Sequence, residues 1–224
     1  MLPALAALPV FVVLCSLGAW QVRRLAWKTD LLARIEAYER AAPVPLGSTA
    51  EPYAKVVASG RFDHGREASL GVEVRGASLG AHLLTPLLRA GLPTVLVDRG
   101  WVPLERSKAI DRPEGEVAVT GFVREADQRD WLSPTDDLPG RRFYTFDPAS
   151  IGRAVGLPEP PASILLVALA PAGAASTLPD AARSLPRPTN PHLGYIITWY
   201  GLAAALVAVV AAFVLRRFHG EESA

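Results

Sequence analysis

The chain has 224 residues, of which 50% are hydrophobic, and its charge is balanced, with 23 Lys and Arg against 22 Asp and Glu. No basic stripe indicates a nucleic-acid partner, and no acidic tail indicates disorder. The hydrophobic residues form runs that are too long for an ordinary soluble protein. Because Cys15 is the only cysteine, intramolecular disulfides and thiolate metal clusters are excluded.

Two uncharged apolar segments predict transmembrane helices. The first covers residues 2–20, and we expect its helix to continue to about residue 40. The second covers residues 194–215; at ~1.5 Å per residue it reaches ~33 Å, enough to cross a hydrocarbon core of ~30 Å. Asn190 is the predicted N-cap of this helix and Pro191 its first residue. A signal peptide is the alternative for the first span, but without a basic n-region or an A-x-A site an uncleaved anchor is favoured.

With two spans, both ends of the chain lie on one side of the membrane, and residues 41–189 form a domain on the other. Residues 216–224 then form a short tail. Basic residues usually mark the cytoplasmic end of a span. They give conflicting orientations here, because four follow the first span and two follow the second: Arg23, Arg24, Lys28, Arg34, Arg216 and Arg217. The charge pattern alone leaves the orientation open.

Between the spans, short and often β-branched segments are separated by glycines, which predicts a mainly antiparallel β-sheet or barrel within an α+β domain. The predicted strands are residues 55–62, 68–74, 81–88, 93–97, 117–124, 142–146 and 164–169. One helix is expected, with Asp147 as N-cap, Pro148 at the first position and Gly156 at its end. Residues 158–161 and 170–188 are predicted loops.

No catalytic motif is present in the sequence: there is no G-x-S-x-G elbow, Walker A loop or G-x-G-x-x-G after a strand. The histidines are scattered without metal-pair spacing, and the Asp136-Asp137 pair is typical of a turn. His82 is expected to be a solvent-facing or hydrogen-bonded strand residue. We therefore predict that the protein is not an enzyme.

The most distinctive motif of the middle domain lies near residue 100. It predicts a buried strand, a turn at Gly100, polar contacts of Asp98 and Arg99, and packing of Trp101. Arg99, Gly100 and Trp101 are also a candidate docking motif for a partner protein.

Four sequence blocks carry a family resemblance. In chain order they are Leu17-Gly18-x-Trp20-Gln21-x-x-Arg24-x-x-Trp27-Lys28, Arg75-Gly76 followed by Thr85-Pro86-Leu87, Val97-Asp98-Arg99-Gly100-Trp101-Val102-Pro103, and His192-Leu193-Gly194-Tyr195 followed by Thr198-Trp199-Tyr200-Gly201-Leu202-Ala203. Together they resemble the SURF1 family, the cytochrome c oxidase assembly factors. Two positions depart from the family pattern: Asp98 stands where Asn is usual, and Pro191 where a second Asn is common.

The resemblance implies an inner-membrane protein with both termini in the cytoplasm, which agrees with the orientation given by Arg216 and Arg217. It also implies a role in maturing a haem-copper oxidase by carrying haem a to subunit I. The expected partners are subunit I, the haem a synthesis machinery and membrane lipid. No Arg/Ser-rich transit peptide precedes the first span, which favours a bacterial cell membrane.

The resemblance also gives His192 the role of an axial ligand to haem iron. At ~100° per residue, His192, Tyr195 and Trp199 share one helix face, along which a haem could lie. Trp199 and Trp20 would form apolar walls, and Arg23 or Arg24 would pair with the propionates. The hypothetical haem site therefore consists of six residues: His192, Tyr195, Trp199, Trp20, Arg23 and Arg24.

Two alternatives stay open. The tryptophans and arginines could form an aromatic belt with interfacial cations, and the protein could be a scaffold that binds oxidase subunits without haem. In either case Gly201 and Ala205 offer a small-x-x-x-small surface for packing the two spans together.

Overall fold

The computed structural model describes residues 2–47, 50–105, 109–174 and 177–221. Its helices are α1 (Leu2–Arg40), α2 (Pro148–Val155) and α3 (His192–Glu221), and its strands are β1 (Val44–Pro45), β2 (Lys55–Phe62), β3 (Ala68–Arg75), β4 (Ser78–Arg89), β5 (Leu92–Pro103), β6 (Glu116–Glu125), β7 (Arg142–Phe143) and β8 (Ile164–Ala168). The backbone divides into a helical unit, Met1–Arg34 with Arg187–Ala224, and a β unit, Ile35–Pro186.

Two helical segments are long and apolar enough to cross a membrane, Leu5–Arg40 and His192–Arg216. Protein atoms bury only 11% and 6% of their most apolar windows. Since a core helix of a soluble protein is mostly buried, these surfaces are suited to lipid instead. The predicted fold class is confirmed: the chain is an integral membrane protein with two transmembrane α-helices flanking a mainly antiparallel β domain.

Within the helical unit, α1 and α3 approach each other at Gly18. A Cβ atom on Gly18 would lie 2.8 Å from Cζ of the Tyr200 ring, so only glycine leaves room for the ring. The predicted small-residue surface at Gly201 and Ala205 is wrong. Apart from its chain neighbours and the backbone of its own helix, no heavy atom of the described residues lies within 4 Å of a Cβ built on Gly201, and Ala205 is exposed. The close approach instead uses a glycine on α1 and a large ring on α3.

The start of α3 also differs from the prediction. The helix begins at His192, and Pro191 lies in the turn before it. The Asn190 amide donates through Nδ2 to Oγ1 of Thr29 at 3.4 Å, while its Oδ1 has no hydrogen-bond partner among the described residues. Asn190 is therefore not the N-cap, because its side chain is directed to α1 rather than to its own helix.

Closure of the sheet defines the β unit. The strand order is β1-β2-β6-β8-β5-β4-β3-β7, and β2 also pairs with β4, which closes β2, β6, β8, β5 and β4 into a five-stranded barrel. The pairings around this ring are antiparallel except for β5 with β8. Closure gives each of these strands a neighbour on both sides and so removes free edges from the ring.

Aliphatic side chains from alternate positions of the barrel strands fill its interior, as expected when successive side chains point to opposite faces. The core cluster consists of Leu46, Ala54, Val56, Ala58, Leu87, Val95, Val97, Val123, Ile164 and Leu166. All seven predicted strands are present. β4 and β5 extend beyond the predicted residues 81–88 and 93–97. β4 continues across Gly80, where the Trp101 ring lies too close for any Cβ.

β7 is shorter than predicted, ending at Phe143 instead of residue 146. The backbone N–H of Tyr144 donates to Asp136 Oδ1 at 2.8 Å, and that of Phe146 donates to Asp127 Oδ2 at 2.9 Å. These amides are satisfied by carboxylates rather than by a neighbouring strand. The predicted turn role of Asp137 is confirmed, since its Oδ1 accepts from the N–H of Gly140.

The predicted turn at Gly100 is wrong: β5 runs through it as one strand with a β-bulge. His82 is paired with Trp101 and Leu84 with Asp98, so β5 carries one extra residue at this point. Gly100 has φ +120°, and a Cβ there would lie 2.3 Å from the carbonyl oxygen of Asp180. Both the torsion angle and the close approach require glycine.

α2 follows the sequence prediction. The Asp147 carboxylate accepts from the N–H of Ser150 at 3.1 Å, Pro148 is the first helical residue, and Gly156 ends the helix in a left-handed conformation. The predicted loop 158–161 is confirmed. In the described part of residues 170–188 there is no helix or named strand, and residues 175 and 176 lie outside the described ranges.

Replacing Gly18 by Leu should separate α1 and α3, because the new side chain would collide with the Tyr200 ring and overpacking costs about 1–3 kcal/mol. A Thr29→Cys, Asn190→Cys pair in a Cys15→Ser background reports the separation through its disulfide yield on oxidation. We expect a severalfold lower yield with Gly18→Leu. Gly201→Leu is the matched control and should leave the yield unchanged; equal yields in the two variants would contradict this packing.

Candidate functional site

A histidine and a glutamine join the two helices of the membrane unit. The Nδ1 atom of His192 lies 2.7 Å from Oε1 of Gln21, and Gln21 is 7% exposed. An amide oxygen can only accept, so Nδ1 donates this hydrogen bond, and in the neutral form of the ring the lone pair lies on Nε2. Among the described residues, the contact with Gln21 is the one hydrogen bond of the His192 ring. The ring is thus held at one nitrogen while the other remains able to bind a metal or a donor.

Two further polar atoms near the start of α3 are unsatisfied. Nε1 of Trp199 and Oδ1 of Asn190 are buried and have no hydrogen-bond partner within the described part of the chain. Trp199 lies seven residues, or about two turns, after His192 and therefore on the same helix face. Tyr195 is predicted on this face too, but its side chain is exposed. Buried groups of this kind are rare in proteins and are candidates for contact with water or a ligand.

The predicted site residues of α1, Trp20, Arg23 and Arg24, lie on its exposed side, as does the neighbouring Trp27. Trp20 and Trp27 are 50% and 44% exposed. The guanidinium carbon of Arg24 lies 4.0 Å from the centre of the Trp27 ring, a cation–π contact. Arg23 is exposed as well. The structure therefore brings His192 to Gln21, which sequence reasoning had not assigned to the site, and leaves the aromatic and basic residues of α1 accessible.

The β unit contains a separate cluster of charged residues around His82. Its Nδ1 lies 2.8 Å from Oδ2 of Asp98, and its Nε2 lies 3.1 Å from Oε2 of Glu73. The hydrogen bond with Asp98 raises the pKa of His82 above its ordinary value, against the opposing effect of burial, and Glu73 adds to the rise. Hydrogen bonding to Arg75 in turn lowers the pKa of Glu73. His82 is expected to be either solvent-facing or satisfied in the core; both of its ring nitrogens are satisfied, but its side chain is 33% exposed and lies outside the core.

The three motif residues of β5 have different environments. Trp101 is buried, and its Nε1 donates to the carbonyl of Glu73 at 3.2 Å. Arg75 lies over the same ring at 5.4 Å and binds Asp180 at 2.7 Å. Gly100 contacts the backbone at Asp180, and Arg99 is buried inside the barrel. The contacts of Arg75 and Gly100 with Asp180 hold the segment around residue 180 against the barrel.

Sequence reasoning missed two pairs, Gln21 with His192 and His82 with Asp98. The first joins residues 171 positions apart and leaves no local pattern. The second had a signal, because an acidic residue on a buried strand requires a partner. Within the described residues no group of three or more His, Cys, Asp or Glu could hold a metal ion.

Two membrane-spanning helices and a closed β-barrel define a membrane-anchored protein with one folded extramembrane domain. Its candidate site lies on the helices and has no catalytic constellation among the described residues. The model of the SURF1 family matches residues 8–204, which includes the barrel and parts of both spans. The chain belongs to the SURF1 family.

Named relatives agree with this assignment. Surfeit locus protein 1 of Xenopus tropicalis is 32% identical over 221 residues, covering 85% of this chain and 68% of the relative. The human Surfeit locus protein 1 is 30% identical over 217 residues, covering 85% of this chain and 70% of the relative. Cytochrome oxidase assembly protein SHY1 of Saccharomyces cerevisiae is 35% identical over 144 residues, covering 57% and 37%.

The His82 cluster should make the stability of the β unit depend on pH. Because folding raises the pKa of His82, the protonated ring stabilises the fold fully below about pH 6.5, its unfolded value, and this contribution is lost as pH rises through the folded pKa. The difference in thermal unfolding midpoint between wild type and His82→Gln, measured on the detergent-solubilised full chain, should therefore be largest at low pH.

Asp98→Asn provides the control for this measurement. In the wild type, the N–H of Gly100 donates to Oδ1 of Asp98 at 2.9 Å. Asparagine keeps an acceptor for this N–H but removes the negative charge that faces His82. In the Asp98→Asn background the effect of His82→Gln should depend much less on pH. A wild-type difference that grows as pH rises would contradict a raised pKa for the folded His82.

Proposed function

We propose that this chain is an assembly factor for cytochrome c oxidase, not an enzyme, which binds haem a and helps to deliver it to subunit I. It acts in the bacterial inner membrane with both termini in the cytoplasm. Its partners are subunit I, the haem a synthesis machinery and lipid. Membership of the SURF1 family and the name of the yeast relative support the oxidase part. One observation carries the haem part, the hydrogen bond between His192 and Gln21.

This hydrogen bond suits an axial ligand. Histidines that bind metals almost always donate their other ring N–H to an acceptor, which fixes the tautomer and orients the ring. Nδ1 of His192 donates to Gln21, so Nε2 is the nitrogen that would bind iron. When bound, haem a supplies an iron that accepts this lone pair. A single protein ligand also suits a carrier that must release its cargo.

The remaining candidate residues fit the rest of an amphipathic macrocycle. Trp20, Tyr195 and Trp199 would provide apolar and aromatic surface, and the buried Nε1 of Trp199 is a donor still without an acceptor among the described residues. Arg23 or Arg24 would pair with the propionates, because a guanidinium forms strong hydrogen bonds with carboxylates. In the structure, the guanidinium carbon of Arg24 lies 4.0 Å from the centre of the Trp27 ring.

A scaffold that binds oxidase subunits without haem is the second candidate. The observation in its favour is a pair of apolar residues on the loop between β6 and β7, Trp131 and Leu132, which are 90% and 69% exposed. Exposed aromatic residues are enriched at protein interfaces. His192 distinguishes the two functions, because a scaffold does not need its imidazole.

The optical spectrum of the purified protein tests the haem function. After co-expression with a haem a synthesis pathway, wild type should carry a Soret band that His192→Ala loses, because iron has lost its ligand. Thr198→Ala is the control: its hydroxyl is exposed and only donates to the carbonyl of Gly194, so the band should remain.

Cytochrome oxidase activity in membranes from the same strains is the second measurement on these variants. For a haem carrier, activity should fall in His192→Ala and persist in Thr198→Ala. Bound haem that is unchanged in His192→Ala would place the ligand elsewhere. A folded wild type without haem, with full oxidase activity in His192→Ala, would favour the scaffold.

Gln21 should control haem affinity without touching the iron. Gln21→Leu removes the acceptor for Nδ1 and should weaken haem binding by about 10–100-fold, the usual effect of losing such a partner. Gln21→Glu keeps an acceptor and should bind at least as tightly as wild type. Titration of each purified variant with haemin measures the affinities; equal affinity in wild type and Gln21→Leu would overturn this positioning role.

A further inference from the structure

The β-barrel has an open cavity of about 650 Å³ at one mouth. Four residues of its apolar lining, Phe62, Val117, Val119 and Ala168, also pack against the barrel core. A volume of this size lies within the range of small-molecule sites, about 300–1,000 Å³. The cavity belongs wholly to the β unit and is separate from the candidate haem site on the helices.

A buried guanidinium lines this apolar cavity. Arg99 follows Val95 and Val97 on the inward face of β5, and it is 7% exposed. Its Nη2 donates to the carbonyl of Asp111 at 2.7 Å, and its guanidinium carbon lies 4.8 Å from the centre of the Phe62 ring. Its Nη1 is buried and has no hydrogen-bond partner among the described residues.

The local charges do not fully compensate this guanidinium. Glu67 is the nearest carboxylate, 3.9 Å from Nη1, but it binds Arg112 more closely, at 2.8 Å. Burial lowers the pKa of Arg99, against the opposing effects of Glu67 and Asp111. A buried cation with an unused donor strongly favours an incoming anion, because it has already lost most of its hydration.

The other charged residues of the lining also favour an anion. Lys55 and Arg183 are basic, and Glu39 is the one acidic side chain that lines the described cavity. The ammonium of Lys55 donates to the backbone carbonyl of Glu39 at 3.3 Å. With Arg99 included, the lining holds three cations and one carboxylate, although Arg183 also lies 3.8 Å from Asp180, which is outside the lining.

We propose that the barrel mouth binds a small apolar carboxylate, with the carboxylate at the guanidinium of Arg99 and the hydrocarbon chain along Val117, Val119 and Ala168. A carboxylate is the partner that a guanidinium in an apolar cavity favours, and an alkyl chain matches the aliphatic walls. The site is independent of haem binding and adds a ligand-binding function to the β unit.

Octanoate is the probe, and octanol of the same chain length is its uncharged match. Binding to the full chain held in an amphipathic polymer, free of detergent, is measured by titration calorimetry. Octanoate should bind at least about tenfold more tightly than octanol, since hydrogen bonds to charged groups are the strong ones. Lengthening the carboxylate should tighten binding about fourfold per methylene until the cavity is full.

Arg99→Gln should weaken octanoate binding at least about tenfold and leave octanol unchanged, because the charge-assisted hydrogen bond is lost while the aliphatic walls remain. Arg153→Gln, on the exposed face of α2, is the matched control and should bind octanoate like wild type. Because Arg99 is buried, Val119→Phe is a second variant that keeps the guanidinium and fills the cavity; it should bind neither probe. Circular dichroism confirms that each variant is folded.

Three results would overturn the proposal. They are equal binding of octanoate and octanol to wild type, octanoate binding that survives Val119→Phe, and a folded Arg99→Gln variant that binds octanoate as tightly as Arg153→Gln. Soret bands play no part in this measurement, so its failure leaves the proposed haem function standing.

Discussion

The arrangement of the β unit depends on the bulge in β5. One extra residue at Gly100 shifts the register against β4, so that the three motif side chains around it face different surroundings. Asp98 faces a histidine, Arg99 enters the barrel, and Trp101 packs beneath a neighbouring arginine. A side chain at Gly100 would collide with the backbone at Asp180. The bulge in β5 and the packing of the segment around residue 180 against the barrel therefore depend on each other.

The polar groups of the chain can be compared by how completely they are satisfied. His82 uses both ring nitrogens on carboxylates, so it acts as a structural tie between strands. His192 uses one nitrogen on Gln21 and leaves the other available, and Arg99 leaves Nη1 without an acceptor among the described residues. A buried polar group that lacks a partner costs free energy, whereas a satisfied one contributes modestly to stability. A polar side chain with unused hydrogen-bonding capacity is therefore a candidate ligand position, whereas a fully hydrogen-bonded one has a structural role.

The surroundings of the two units explain why their polar groups are arranged differently. In the barrel, water reaches the rim, and charged residues form networks such as that of Glu73, Arg75 and Asp180. Along the membrane helices, lipid offers no hydrogen bonds, so backbone groups are satisfied within the helix. A side-chain hydrogen bond between helices, as from His192 to Gln21, then fixes the relative position of the two helices that it joins.

The elements with local signals could be predicted from the amino-acid sequence alone. Uninterrupted apolar composition identified the spans, alternation and glycines identified the strands, and Asp147 with Gly156 marked the ends of α2. Three features could be seen only in the folded chain: the bulge at Gly100, the packing of Gly18 against α3 and the contact of Gln21 with His192. These features depend on which distant residues become neighbours, and that is set by strand register and helix rotation, neither of which a local sequence pattern contains.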